Sequence, residues 1–253
     1  MGRLSERTAV IFGADAIGRG IASRFVREGG RVVLLDQAEL VAVAPDGTQG
    51  FAIDPHDKQA IAQVFARIAD ALGPVHILVN NLLPQPVIGP LDAQDDAAMA
   101  GALDSVRACA LAMRAVFPGM REAGWGRIVI IGHRYGESVN EGITAYNAAA
   151  WALVGLTRSA ALDWGRWQIA TNLLLPFADT PELRAAQDRR PRVIDLMMGQ
   201  IPLGRAGDPV DDIGAAAAFL ACDEAAFVNG QIIYADGGQH VAGPVLNPVR
   251  FAD

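Results

Sequence analysis

Short apolar runs that stop at Gly, Pro or Asp alternate along this chain with longer stretches at helical period. That alternation admits few folds, because it is the pattern of βα units feeding a parallel sheet. Strands are predicted near 7–12, 31–36, 49–53, 75–80, 127–132, 169–175 and 231–234, and helices over roughly 16–29, 57–72, 95–122, 144–164 and 209–222. Pro90 and Asp92 precede one of these helices and Pro209 opens another. Right-handed crossovers place helices on both faces of such a sheet. No linker rich in Pro, Gly or Ser and no repeat divides the 253 residues, so 1–253 is read as one α/β domain with a doubly wound parallel sheet.

Half of the residues are hydrophobic (51%) and 19% are charged, which excludes disordered and fibrous classes. The net charge of −7 carries no basic stripe, and the arginines between Arg184 and Arg192 sit among Glu182, Asp188 and Asp195, so nucleic acid is not an expected partner. The apolar stretch 213–222 is about half the ~20 residues of a membrane span, and no secretory pattern opens the sequence. A cytoplasmic protein is expected, with no membrane partner and with Cys109 and Cys222 as reduced packing residues. His56, His76 and His240 are dispersed and suggest no metal site.

In a sheet of this kind ligands lie beyond the carboxyl ends of the strands, at the point where strand order reverses. The residues there are Phe12 to Gly18, Asp36, Asp54, Asn80 to Leu83, Gly132 to Tyr135, and Pro176 to Thr180. Read in order, together with GRIVI (126–130), NLLLP (172–176), PLGRAGDP (202–209) and FLACDEAAFVNGQIIYADGG (219–238), they resemble the short-chain dehydrogenase/reductase family over nearly the whole chain. The resemblance implies a Rossmann-like fold and a nicotinamide dinucleotide.

It also exposes departures. The family's Thr-Gly-x-x-x-Gly-x-Gly turn reads FGADAIGRG here, which makes Gly13 the first glycine, Ala16 the middle one and Gly18 the third, with Ile17 between the last two and Gly20 in the helix. Phe12 in place of Thr and a turn one residue shorter are expected to reshape the phosphate cradle. Asp36 resembles the acidic residue that accepts the adenosine ribose hydroxyls and repels a 2′-phosphate, which implies NAD(H) rather than NADP(H). Asp54 resembles the residue at the adenine amino group; its plainer reading is a turn Asp beside Pro55. Asn80 and Asn81 match the start of the family's Asn-Asn-Ala-Gly run, whose small pair is replaced by Leu82 and Leu83. Thr180 matches the family's contact to the carboxamide, behind Phe177 where a Gly is usual.

The family's catalytic Tyr is Tyr146. Its supporting Lys is Ala150, its substrate-polarising Ser is His133 and its relay Asn is Ser105. A phenol of pKa ~10 is a poor base without a neighbouring cation, so loss of the Lys points to a changed mechanism or to none. His133 is the expected replacement, since imidazole changes charge near physiological pH. Arg134 and Tyr135 follow in the same loop. The segment 181–201 is expected to cover the substrate, with Ile194, Leu196, Met197, Met198 and Ile201 facing an apolar molecule or packing as an ordinary lid.

The leading reading is an NAD(H)-linked oxidoreductase acting on a hydroxyl or carbonyl of a small, apolar molecule through a non-standard proton-transfer site. The alternative is a non-redox enzyme, or a catalytically silent binding protein, on the same fold. Pairing of the helices at 95–122 and 144–164 implies a homodimer or homotetramer, with the tail 239–253 covering a neighbouring subunit.

Overall fold

The structure, a computed structural model, describes residues 2–82, 86–133 and 141–241. Seven parallel strands form one sheet in the order β3-β2-β1-β4-β5-β6-β7: β1 Thr8–Phe12, β2 Arg31–Asp36, β3 Thr48–Ala52, β4 Ile77–Asn80, β5 Gly126–Ile131, β6 Ile169–Pro176 and β7 Ile232–Ala235. The strands are nearly continuous hydrophobic runs because both faces of the sheet are covered. Alternate side chains go to opposite faces. Val10, Phe12, Val33 and Leu35 join one core with helices α3 (Lys58–Leu72), α4 (Asp96–Ala123) and α5 (Thr144–Trp164), while Ala9, Ile11, Val32 and Leu34 join the other with α1 (Ala16–Arg27) and α8 (Gly214–Ala221). A one-turn helix, α2 (Ala38–Val41), and the pair α6 (Pro181–Arg189) and α7 (Pro191–Gly199) complete the set. Among the described residues no helix is long and apolar enough to cross a membrane.

The predicted strands are found at their positions, with β4 beginning at Ile77 rather than 75. The helix expected over 209–222 is divided. Pro209–Ile213 form a π-helical turn that Asp208 caps through Val210 N and Asp211 N, both at 2.8 Å, and α8 begins only at Gly214. Segment 181–201 forms two helices, broken at Arg190 before Pro191.

Glycine makes the layer beside β1 possible. A Cβ on Gly20 would stand 2.5 Å from the carbonyl oxygen of Pro209, and one on Gly214 would stand 2.7 Å from Arg24 Cβ. Helix α1 therefore lies backbone to backbone on the 209–213 turn. From its other side Ile21 and Phe25 are fully buried, a gain of roughly 1.5–3 kcal/mol each. This packing holds the amino end of α1 under the carboxyl end of β1.

Gly20→Ala is expected to lower stability by roughly 1–3 kcal/mol by pushing α1 off the turn. Chemical denaturation checks this, and an unchanged midpoint would mean that the two backbones can part at no cost.

Candidate active site

Strand order reverses between β1 and β4, whose last residues, Phe12 and Asn80, are paired across the sheet. The next residues of each strand touch. Gly13 adopts φ +107°, which favours glycine, and a Cβ there would lie 1.9 Å from Asn81 O, while Asn81 N donates to Phe12 O at 2.7 Å. A cleft of about 370 Å³ opens above this point. Its polar wall includes Asp15, Asn81, His133, Tyr146, Thr180 and Glu182, and its apolar wall includes Ile131, Phe177, Leu183, Ile194 and Met197. A second hollow, of about 680 Å³, shares Leu183 and Ile194 with this cleft and is lined also by the Asp179–Arg184 ion pair (2.8 Å) and Asp208.

The loop between β1 and α1 is tied down by its own hydrogen bonds. Gly13 N donates to Leu35 O (2.9 Å) and Ala14 N to Asp36 Oδ2 (2.6 Å). Asp15, the N-cap of α1, accepts from Ile17 N and Gly18 N through Oδ1, each at 2.9 Å, and from Asn81 Nδ2 at 2.7 Å. Desolvation raises the Asp15 pKa above its ordinary value of 3.8, against the pull of its three donors, and the carboxylate of Glu182 adds to the rise. Gly18 is there because a Cβ would strike Gly13 O at 1.9 Å, and Ala16 is the first helical residue. Phe12 does not reshape this cradle as expected: it is fully buried under the sheet, since side chains of successive strand residues alternate. Leu82 likewise packs against that core.

The structure brings His133 and Tyr146 together. Their rings meet edge to face with centroids 5.7 Å apart, and both line the cleft. His133 follows β5 through Gly132, while Tyr146 sits in the first turn of α5. That turn has no side-chain cap of its own from Ile143. Gln94 supplies one from outside. Its Oε1 accepts from Ala145 N (3.0 Å) and its Nε2 donates to Gly89 O (3.0 Å), Gly142 O and Val87 O (both 3.2 Å), fastening the start of α5 to the loop after β4. Nothing local in the sequence marked Gln94 for this. Asp15, by contrast, carried an N-cap signature ahead of AIG.

The other predicted site residues are distributed as follows. Thr180 lines the cleft and caps α6, accepting from Leu183 N at 3.3 Å. Asp36 ends β2 and accepts from Gln37 N (2.7 Å) as well as Ala14 N, which leaves carboxylate lone pairs unused. Asp54 is exposed and accepts from His56 N at 2.8 Å, a turn bond. Asn80 is buried and donates to Cys109 O (3.3 Å), so it is Asn81 that reaches the cleft. Ser105 is buried in α4 with its hydroxyl on Ala102 O (2.7 Å), outside the cleft lining, and Ala150 is 2% exposed. In the covering segment Ile194 and Met197 face the cleft, Leu196 is exposed and Ile201 is buried. Leu83, Arg134, Tyr135 and the tail from 242 lie outside the described residues.

A family model described as enoyl-(acyl carrier protein) reductase matches residues 13–240. Oxidoreductase UcpA of Escherichia coli is 33% identical, over 94% of this chain and 96% of its own length. The 3-oxoacyl-[acyl-carrier-protein] reductase FabG of Pseudomonas aeruginosa is 31% identical, over 94% and 99%. Among solved structures, a gluconate 5-dehydrogenase from Burkholderia cenocepacia in complex with NADP and tartrate superposes with a TM-score of 0.86 at 28% identity, covering 94% of this chain and 97% of that one.

Because the Ser105 hydroxyl is spent on its own helix, Ser105→Ala is expected to change stability by no more than about 1 kcal/mol. Steady-state kinetics of the variant should match those of the parent, and a collapse in kcat with the fold intact would put Ser105 back at the reacting atoms.

Proposed function

We propose, from the premise that this chain belongs to the short-chain dehydrogenase/reductase family of oxidoreductases, that it uses NAD(H) to interconvert a hydroxyl and a carbonyl on a small, apolar molecule, with His133 and Tyr146 as its proton-transfer pair. The observation that carries this reading is the edge-to-face contact of those two rings inside the cleft.

The residues fit the two ends of a dinucleotide. At the adenosine end, Asp36 keeps lone pairs for ribose hydroxyls after accepting from two backbone N–H groups, and its negative charge disfavours a 2′-phosphate. At the other end Thr180 and Gly132 line the cleft together with Tyr146. A bound nicotinamide supplies or accepts the hydride. This chain's residues handle the proton. In the reducing direction the Tyr146 hydroxyl donates its proton to the carbonyl oxygen, and in the oxidising direction the phenolate takes one from the alcohol.

A phenol alone does this poorly near neutrality, and Ala150 brings no charge to its side of α5. His133 is the ionisable side chain whose ring touches that of Tyr146, and an imidazole that gains and loses a proton near neutral pH suits the task of sharing it. Ile131, Phe177, Leu183, Ile194 and Met197 exclude water and favour an apolar substrate. The exposed Leu103 on α4 and Trp151 on α5 support pairing of those helices between copies.

His133→Ala is expected to lower kcat/KM at least as far as Tyr146→Phe does, by about 10²-fold or more. A fully active His133→Ala enzyme with an unchanged pH profile would return the imidazole to a packing role.

Separately, calorimetry is expected to show tighter binding of NAD(H) than of NADP(H), with Asp36→Ala narrowing the gap. Equal affinities in the parent protein would remove Asp36 as the discriminator.

A further inference from the structure

The first turn of a helix is an anion seat, because its leading N–H groups lack intrahelical partners and lie at the positive end of the dipole. At the switch point of this sheet that seat already holds an anion. One oxygen of Asp15 takes the N–H groups of both Ile17 and Gly18 and the amide of Asn81, so three donors converge on a carboxylate that belongs to the chain. The neighbouring donors are also engaged, Gly13 N on Leu35 and Ala14 N on Asp36. A pyrophosphate laid across this loop therefore meets negative charge and donors already in use.

We propose that Asp15 competes for the seat of the dinucleotide pyrophosphate, so that nucleotide binds only when the Asp15 carboxylate swings away or takes up a proton, and Asp15 thereby sets the affinity of the cofactor site. This rests on the reading of the cleft as an NAD(H) site and concerns the pyrophosphate seat, apart from the ribose end at Asp36 and the proton-transfer pair. The charged and titratable groups around Asp15 among the described residues are Glu182 from α6, whose charge acts on it, His133, which lines the same cleft, and Asp36 and Arg19, which bond the N–H and carbonyl of the adjacent Ala14. The raised pKa of Asp15 agrees with a carboxylate ready to accept a proton.

Two variants separate charge from occupancy. Asp15→Asn keeps a side-chain cap without charge, and Asp15→Gly clears the seat with another residue accepted at N-caps. Calorimetric titration of the full chain with NAD⁺ is expected to show affinity rising by about tenfold or more in Asp15→Gly, less in Asp15→Asn, with adenosine, which has no phosphate, bound equally by all three. NAD⁺ should bind the parent more tightly as the pH falls toward the carboxylate range, and the difference between parent and Asp15→Asn, in which Glu182, Asp36 and His133 cancel, should shrink with it.

If the parent binds NAD⁺ as tightly as both variants, the proposal fails while the NAD(H) reading stands. A parallel gain for adenosine also overturns it, since that would mean a loosened loop rather than a freed anion seat. If no form binds NAD⁺ or adenosine, the cofactor reading fails and the proposal with it.

Discussion

Everything functional in this molecule depends on the contact between the ends of β1 and β4, where Gly13 and Asn81 meet backbone to backbone. No Cβ fits at Gly13, and the bond from Asn81 N to Phe12 O closes the gap between two strands that are 68 residues apart in sequence. Strands leave this line in opposite directions, β2 and β3 to one side and β5 to β7 to the other, so the loops above it diverge and leave a cleft. Helix α1 is then fixed beneath by Gly20 on Pro209, which points its amino end at the same spot.

The electrostatics of that spot follow from a single residue. An N-cap side chain is needed to satisfy the first N–H groups of α1, and Asp15 meets the need with a full charge where a hydroxyl would meet it with a dipole. The same bonds that stabilise the helix end fix a carboxylate on the cleft lining, where the charge of Glu182 reaches it. Three donors, Ile17 N, Gly18 N and the Asn81 amide, are thereby taken up by one carboxylate of the chain itself.

The side of the cleft that carries His133 and Tyr146 is held in a different way. Tyr146 sits in a first turn that lacks a local cap, and Gln94, from the loop ahead of α4, reaches across to provide it. His133 arrives from β5 through Gly132, and its ring meets that of Tyr146 edge to face in the cleft. The pair is thus assembled by three segments, the end of β5 with His133, the start of α5 with Tyr146 and the loop ahead of α4 with Gln94.

Order and type of the main elements and several of the strand-end positions that line the cleft were legible in the chain, because apolar periodicity and turn residues act over a few residues. Phe12, Leu82 and Gln94 show where that legibility stops. A bulky residue at a strand end looks like an obstruction until the pleat turns it into the core, and a lone Gln carries no sign that its amide will serve two loops. The sequence alone determined a doubly wound α/β sheet and the chemical groups carried at its strand ends. Tertiary structure decided which of those groups meet: His133 with Tyr146, Asp15 with the N–H groups of α1 and with Asn81, Ser105 with nothing beyond its own helix. The reason is that local pattern fixes each residue's face and element, whereas a contact between elements depends on how two packed layers place their ends, and no local period encodes that.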